Sequence, residues 1–384
     1  MQTQRYQSLD VFRGATVALM ILVNNPGDWG HIFSPLAHAS WHGLTPTDLV
    51  FPFFLFAVGN AMSFVMPKLA QGTDANFWKK VLKRTLLIFA IGLFLNWSPF
   101  VKWSDEHLIF KQWESIRIMG VLQRIALCYF FASIIIYYGK SRWALYISAV
   151  ILLLYWLLTT LLGAPGHPYS LSGYCGNAID QSILGITHIY KGEGVPFDPE
   201  GLTSTLPAIV QVIFGYLVGE YIQNKGKNFE MLSQLLLTGV VLVFAGYIWD
   251  FSFPINKKIW TSSYVVYTSG LAMITLSVFI YFIEFKHAAG KWSYFFEVFG
   301  KNPLFIFVLS GFLPRVIALL RWEDHINEQG EKVYTSSLPW FYEHVCKNIY
   351  SDPRIGSLLY ALCFIAFMAI LAYILDKKKI YIKV

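Results

Sequence analysis

Trp143-Ala144-Leu145-Tyr146-Ile147-Ser148-Ala149-Val150-Ile151-Leu152-Leu153-Leu154-Tyr155-Trp156-Leu157-Leu158-Thr159-Thr160-Leu161-Leu162-Gly163 contains no charged residue. A helix of ~20 apolar residues spans the hydrocarbon core of a bilayer. Working outward from this stretch, further apolar segments fall at about 11–25, 46–66, 81–97, 117–138, 203–223, 232–250, 260–283, 299–320 and 356–375. The chain has 384 residues, of which 55% are hydrophobic and only 14% charged. A soluble domain carries roughly 25% charged residues. Apolar surface must therefore face something other than water. The fold class expected is all-α: a polytopic membrane helical bundle of about ten transmembrane helices, forming one domain over residues 1–384 and embedded in the lipid bilayer of a cell inner membrane.

Cations set the orientation. In membrane proteins Lys and Arg collect in short cytoplasmic loops. The 67–84 connection holds Lys68, Lys79, Lys80, Lys83 and Arg84. Alternate connections then hold Lys140 with Arg142, Lys225 with Lys227, and Lys286 with Lys291; the tail holds Lys377, Lys378, Lys379 and Lys383. The intervening loops are acidic, with Asp105, Glu106 and Glu114, then Asp180, Glu193, Asp198 and Glu200, then Glu323, Asp324, Glu328 and Glu331. With ten spans these cationic connections all lie on one side, and both termini are cytoplasmic, while Lys257 and Lys258 fall on the outer side. The net charge of +7 is thus a matter of topology and not a nucleic-acid signal. Arg5 and Arg13 flank an apolar run, Val11 to Val23, that is followed by Asn24-Asn25-Pro26-Gly27 and no small-residue cleavage pattern, so the first helix is expected to stay in place.

Two long outer loops, about 164–202 and 321–355, carry aromatics beside polar groups. The first contains Tyr174, Asn177, Asp180 and His188; the second contains Trp322, Trp340, Tyr342 and His344. Such composition suits a sugar face, and equally an interfacial aromatic belt. Cys128 and Cys363 sit in apolar runs, whereas Cys175 and Cys346 fall in these two loops, where a disulfide is open to them. No C-x-x-C or Cys/His metal spacing is present, and no metal is expected.

A charge in an apolar segment is a functional hypothesis by default. Asp10 and Arg13 share a helix face and can pair. Thr45-Pro46 reads as an N-cap with proline in the first turn, which puts Asp48 where the helix dipole favours a carboxylate. Orienting a nearby cation or imidazole is a second role compatible with the first. Arg124 lies deeper and needs an anion, which Asp10, Asp48 or a ligand phosphate could supply. The densest polar site is the turn between the first two helices, with Asn24, Asn25, Asp28, His31, His38, Trp41, His42 and Thr45. Imidazole titrates near neutral pH, which favours acid–base chemistry here.

At this turn the chain resembles a known family. The residues are Arg5-Tyr6-Gln7-Ser8-Leu9-Asp10-Val11-Phe12-Arg13-Gly14, His38-Ala39-Ser40-Trp41-His42-Gly43-Leu44-Thr45, and Asp48-Leu49-Val50-Phe51-Pro52. Gly120-Val121-Leu122-Gln123-Arg124-Ile125, Asp198-Pro199-Glu200-Gly201-Leu202 and Pro254-Ile255-Asn256-Lys257-Lys258-Ile259-Trp260-Thr261 are similar too. They resemble the heparan-α-glucosaminide N-acetyltransferases, within the transmembrane acyltransferases. The resemblance covers about residues 5 to 310, and the His38 stretch is its most specific part. Lysosomal members carry a lumenal domain and an extra helix before the opening motif, so ten spans are expected where those have eleven.

The resemblance implies transfer of acetyl from cytoplasmic acetyl-CoA, as co-substrate, to the amine of a terminal glucosamine on the outer side. It implies that His38 is the active-site histidine, as base or nucleophile, with Asn24 close to it. Asp48 and Arg124 match polar positions of the bundle. Asn24 is a candidate oxyanion donor, Asp48 a candidate for holding His38, and Arg124, Asn256, Lys257 and Trp260 candidates for the CoA side, with Lys258 beside them. The expected partners are an amino-sugar or oligosaccharide acceptor and acetyl-CoA; a homodimer is left open. A secondary transporter of a sugar or other small solute is the alternative, and it would require inverted repeats and broken midplane helices.

Overall fold

The computed structural model describes residues 6–104 and 106–382. Arg5, Asp105 and Lys383, which belong to the opening motif and the charge pattern, lie outside the described residues. In chain order the helices of ten or more residues are α1 (Gln7–Asn24), α2 (Val50–Met62), α3 (Asp74–Trp97), α4 (Val121–Leu162), α5 (Cys175–Leu184) and α6 (Leu202–Lys225). They continue with α7 (Phe229–Asp250), α8 (Ser262–Ile280), α9 (Lys291–Lys301), α10 (Pro303–Ile317) and α11 (Pro353–Lys377).

A helix occupies each apolar segment expected from the sequence. α4 takes two of them and breaks at Lys140, whose backbone (φ 52°, ψ −178°) is not helical. Among the described residues, five helices are long and apolar enough to cross a membrane: α4 taken whole, α6, α7, α8 with its extension to Phe285, and α11. The pair α9 and α10, bent by 81°, makes a sixth if counted as one span. The remaining three are marked by their residues. α1 carries Asp10 and Arg13, α2 has 13 residues, and the first half of α3 holds Lys79, Lys80, Lys83 and Arg84.

The outward faces explain the low charge content. On α7, Leu237 is 65% exposed, Val241 57%, Phe244 63% and Ile248 66%. A soluble monomer rarely offers so continuous an apolar face, so this surface belongs in lipid. Inside, α7 packs on α8, α2 on α6, α1 on α9, and α4 on both α3 and α6. Small residues bring the backbones together. A Cβ on Gly59 would stand 1.8 Å from the Val212 carbonyl oxygen, and one on Gly215 would stand 2.0 Å from that of Phe56. Such close approach is how helices associate when burial from lipid gives little driving force.

Two hairpins depart from the all-α expectation. β1 (Val101–Ser104) pairs with β2 (His107–Phe110), and β3 (Arg321–Ile326) with β4 (Lys332–Ser336). Both sit in connections between apolar helices, where water can satisfy their open edges as lipid could not. The Arg321 guanidinium lies 4.0 Å from the ring centres of both Trp103 and Tyr334, and so joins the two hairpins. The disulfide left open between Cys175 and Cys346 is not formed, and all four thiols are free. Cys346 is buried in a π-helical turn whose backbone packs on α11 at Gly356, while Cys175 begins α5, which packs on α6.

Candidate active site

Thr45, Pro46 and Asp48 build the local frame. Pro46–Leu49 is a single 3-10 turn leading into α2, with Thr45 as its N-cap. The Asp48 side chain returns to the cap: Oδ2 accepts from the Thr45 backbone N–H at 3.0 Å, the Thr45 hydroxyl at 3.0 Å and the Ala39 N–H at 3.1 Å. This is a capping box, in which a carboxylate satisfies amides a helix start would leave open. The second oxygen, Oδ1, accepts from His38 Nδ1 at 2.7 Å. Asp48 is 1% exposed and His38 41% exposed, so a buried carboxylate holds an accessible imidazole. With its Nδ1–H donated to Asp48, Nε2 is the atom left for chemistry. The Tyr264 hydroxyl donates to the Asp48 backbone carbonyl at 2.6 Å and ties the turn to α8.

His38 opens on a cavity of ≈ 200 Å³ walled by three other segments. The 251–261 connection brings Lys257 and Lys258. The loop between α4 and α6 brings Tyr190, Glu193 and Glu200, and the chain just before α4 brings Arg117. Lys257 Nζ lies 3.1 Å and 3.3 Å from the two His38 ring nitrogens and 3.7 Å from Asp48 Oδ1. Lys258 pairs with Glu193 at 2.5 Å and donates to the Ser40 carbonyl at 2.8 Å. Arg117 grips Asp198 at 2.9 and 2.5 Å and Glu200 at 2.5 Å, and lies 4.7 Å from the Tyr190 ring centre. Trp41 makes one wall, its indole N–H bonded to the Tyr169 carbonyl at 2.8 Å.

Burial lowers the Lys257 ammonium below its ordinary value, and the carboxylates of Asp48 and Glu200 oppose that shift. Burial would raise Glu200, but Arg117, then Arg124 and Lys257, outweigh it and hold this carboxyl below the usual range. His42 is lowered by burial, against the pull of Asp250. Each cation lining the cavity therefore has a carboxylate beside it, and the site is charge-matched.

Of the residues expected from sequence, His38, Asp48 and Lys257 come together. Asn256 is fully buried behind them. Its Nδ2 bonds His42 Nδ1 at 3.3 Å, while its Oδ1 accepts from the Ile259 N–H at 3.1 Å. Trp260 and Arg124 are both fully buried, the guanidinium 4.9 Å from the indole ring centre. Arg124 bonds the Gly201 carbonyl at 3.2 Å and the Ser204 hydroxyl, not Asp10 or Asp48, and its Nε and Nη1 have no partner. Asn24 is exposed at the end of α1 and makes no hydrogen bond to His38. The Asp10–Arg13 pair forms at 2.8 Å, at the opposite end of α1. Arg117 and Tyr190 were not singled out by sequence. Arg117 reads as an interfacial cation, because its carboxylate partners lie 81 and 83 residues away.

Apolar helices for lipid, with a carboxylate-held histidine in a polar cavity, define a multi-pass membrane protein with an enzyme-type site. The model of the family described as heparan-alpha-glucosaminide N-acetyltransferase, catalytic, matches residues 5–248. The chain belongs to this family. It is 26% identical to the human and to the mouse heparan-alpha-glucosaminide N-acetyltransferase, over 99% of its own length in each case. It spans 60% of the length of these curated relatives.

Proposed function

We propose that this chain is a membrane N-acetyltransferase that moves acetyl from cytoplasmic acetyl-CoA to the amine of a glucosamine-ended sugar on the outer side. The observation that carries the reading is the 2.7 Å bond from His38 Nδ1 to the buried Asp48 carboxylate, which leaves Nε2 for the reaction. An amine attacks a thioester only when unprotonated, so a base is required. In direct transfer the amine forms the C–N bond while Nε2 takes its proton. The C–S bond then breaks and the CoA sulfur leaves with that proton. In the covalent route Nε2 itself attacks, the C–S bond breaks and CoA leaves as thiolate; the amine then displaces the imidazole, and the proton it loses ends on the CoA sulfur. Both routes use the same uncharged nitrogen.

The charge-matched cavity suits the acetyl end of the donor and an amino sugar against Trp41 and Tyr190, rather than a bare phosphate group. The candidate CoA-side residues Asn256, Trp260 and Arg124 would then act from behind the cavity, with the open Nε and Nη1 of Arg124 as its free donors. Asn24 does not line the cavity, and no contact among the described residues supports it as the oxyanion donor. The topology proposed with this chemistry is ten spans in an inner membrane, with both termini cytoplasmic. A helix in every apolar segment supports it.

His38→Ala is expected to abolish acetyl transfer to glucosamine-ended acceptors in detergent while leaving expression and monodispersity intact. Retained activity in that variant would remove the reading. Trapping of labelled acetyl on the protein without acceptor separates the covalent route from the direct one.

A further inference from the structure

The position of Lys257 does not fit a hydrogen bond to the histidine. His38 Nδ1 already donates its N–H to Asp48 at 2.7 Å, so it has no lone pair to offer Lys257. Nζ stands almost equally far from the two ring nitrogens, 3.1 and 3.3 Å. A lone-pair approach to Nε2 would bring it much closer to that atom than to Nδ1. An in-plane position between the two would press Nζ onto Cε1. The ammonium therefore lies over the face of the ring. It also sits 3.7 Å from Asp48 Oδ1, so anion, imidazole and cation form one contact group.

We infer that Lys257 is a positioning residue that balances Asp48 and keeps the His38 imidazole uncharged. Asp48 alone would favour imidazolium, because an adjacent carboxylate stabilises the positive form. A cation at van der Waals distance from the same ring opposes it. Of the other charged groups around the cavity, Lys258 has one carboxylate partner, while Arg117 and Arg124 behind it share two. Lys258 is matched by Glu193, and Arg117 by Asp198 and Glu200. Asp48 thus fixes which nitrogen is exposed, and Lys257 lets that nitrogen keep its lone pair. The role rests on the acetyltransferase reading only for its purpose; the charge balance is a property of the folded chain.

The test reads His38 directly. The full chain in detergent is treated with diethyl pyrocarbonate, which acylates imidazole only in its uncharged form, and carbethoxylation of the His38 side chain is followed by mass spectrometry from about pH 5.5 to about 8.5. Lys257→Met is expected to slow modification of His38 about tenfold at pH 6, equivalent to about one pH unit, and to leave it unchanged at pH 8.5. Lys257→Arg should behave as wild type. Asp48→Asn should shift the profile the other way and speed modification at pH 6. The exposed His325 serves as an internal reference in every sample. An unchanged His38 profile in Lys257→Met overturns the inference, as does a shift in the same direction in Asp48→Asn. If acetyl transfer is absent from wild type while these shifts occur, the function fails and the charge balance stands.

Discussion

Asp48 meets four donors with two oxygens: the His38 ring, two backbone amides and a hydroxyl. Asp48→Ala should therefore do two separable things. The loss of buried partners should cost about 1–3 kcal/mol, read as a lower unfolding temperature in detergent. Loss of the hold on His38 should lower kcat by at least about tenfold with less change in KM. Asp48→Asn keeps the acceptor oxygen and should recover more stability than activity. A second residue-level expectation concerns acid. Glu200 is held below the ordinary carboxyl value in the folded chain. Its contribution is therefore present above the unfolded value of about 4.3 and lost as pH falls through the folded one. Wild type should lose thermal stability as pH falls below about 4.3 more steeply than Glu200→Gln.

At the scale of elements, helix contacts depend on missing side chains more than on large ones. Gly59→Ala would place a methyl into the Val212 carbonyl of α6 and should destabilise by about 1–3 kcal/mol, seen as earlier thermal aggregation with the site residues untouched. The apolar segments were legible because 55% of the residues are hydrophobic and the charges cluster between them. The Thr45-Pro46-Asp48 start was legible for a local reason, since capping is decided within four residues. The hairpins were not, because they are short and lie in connections where no periodicity is imposed by lipid. The break at Lys140 was visible only as the gap between two apolar runs.

For the whole molecule, the site is assembled from four distant parts of the chain, and here sequence reading reaches its limit. His38 and Asp48 are ten residues apart and could be paired by inspection. Lys257 is 219 residues from His38, and Arg117 is 81 from Asp198; no spacing encodes those contacts. Only the resemblance drew Lys257 into the same list. Topology makes its own prediction at this scale. A cysteine at Lys191 should be labelled by a membrane-impermeant maleimide from the outer side, and one at Arg142 only after permeabilisation. Labelling of both from one side would refute the ten-span reading.

The capping box has a consequence for biogenesis. One carboxylate both starts α2 and orients the histidine, so the reactive centre does not exist before that helix has formed and docked. A nascent chain with only its first segment inserted would present an unheld imidazole, without the cation that α8's leading loop supplies. On the proposed function, competence for transfer would therefore arise in a single late step of assembly.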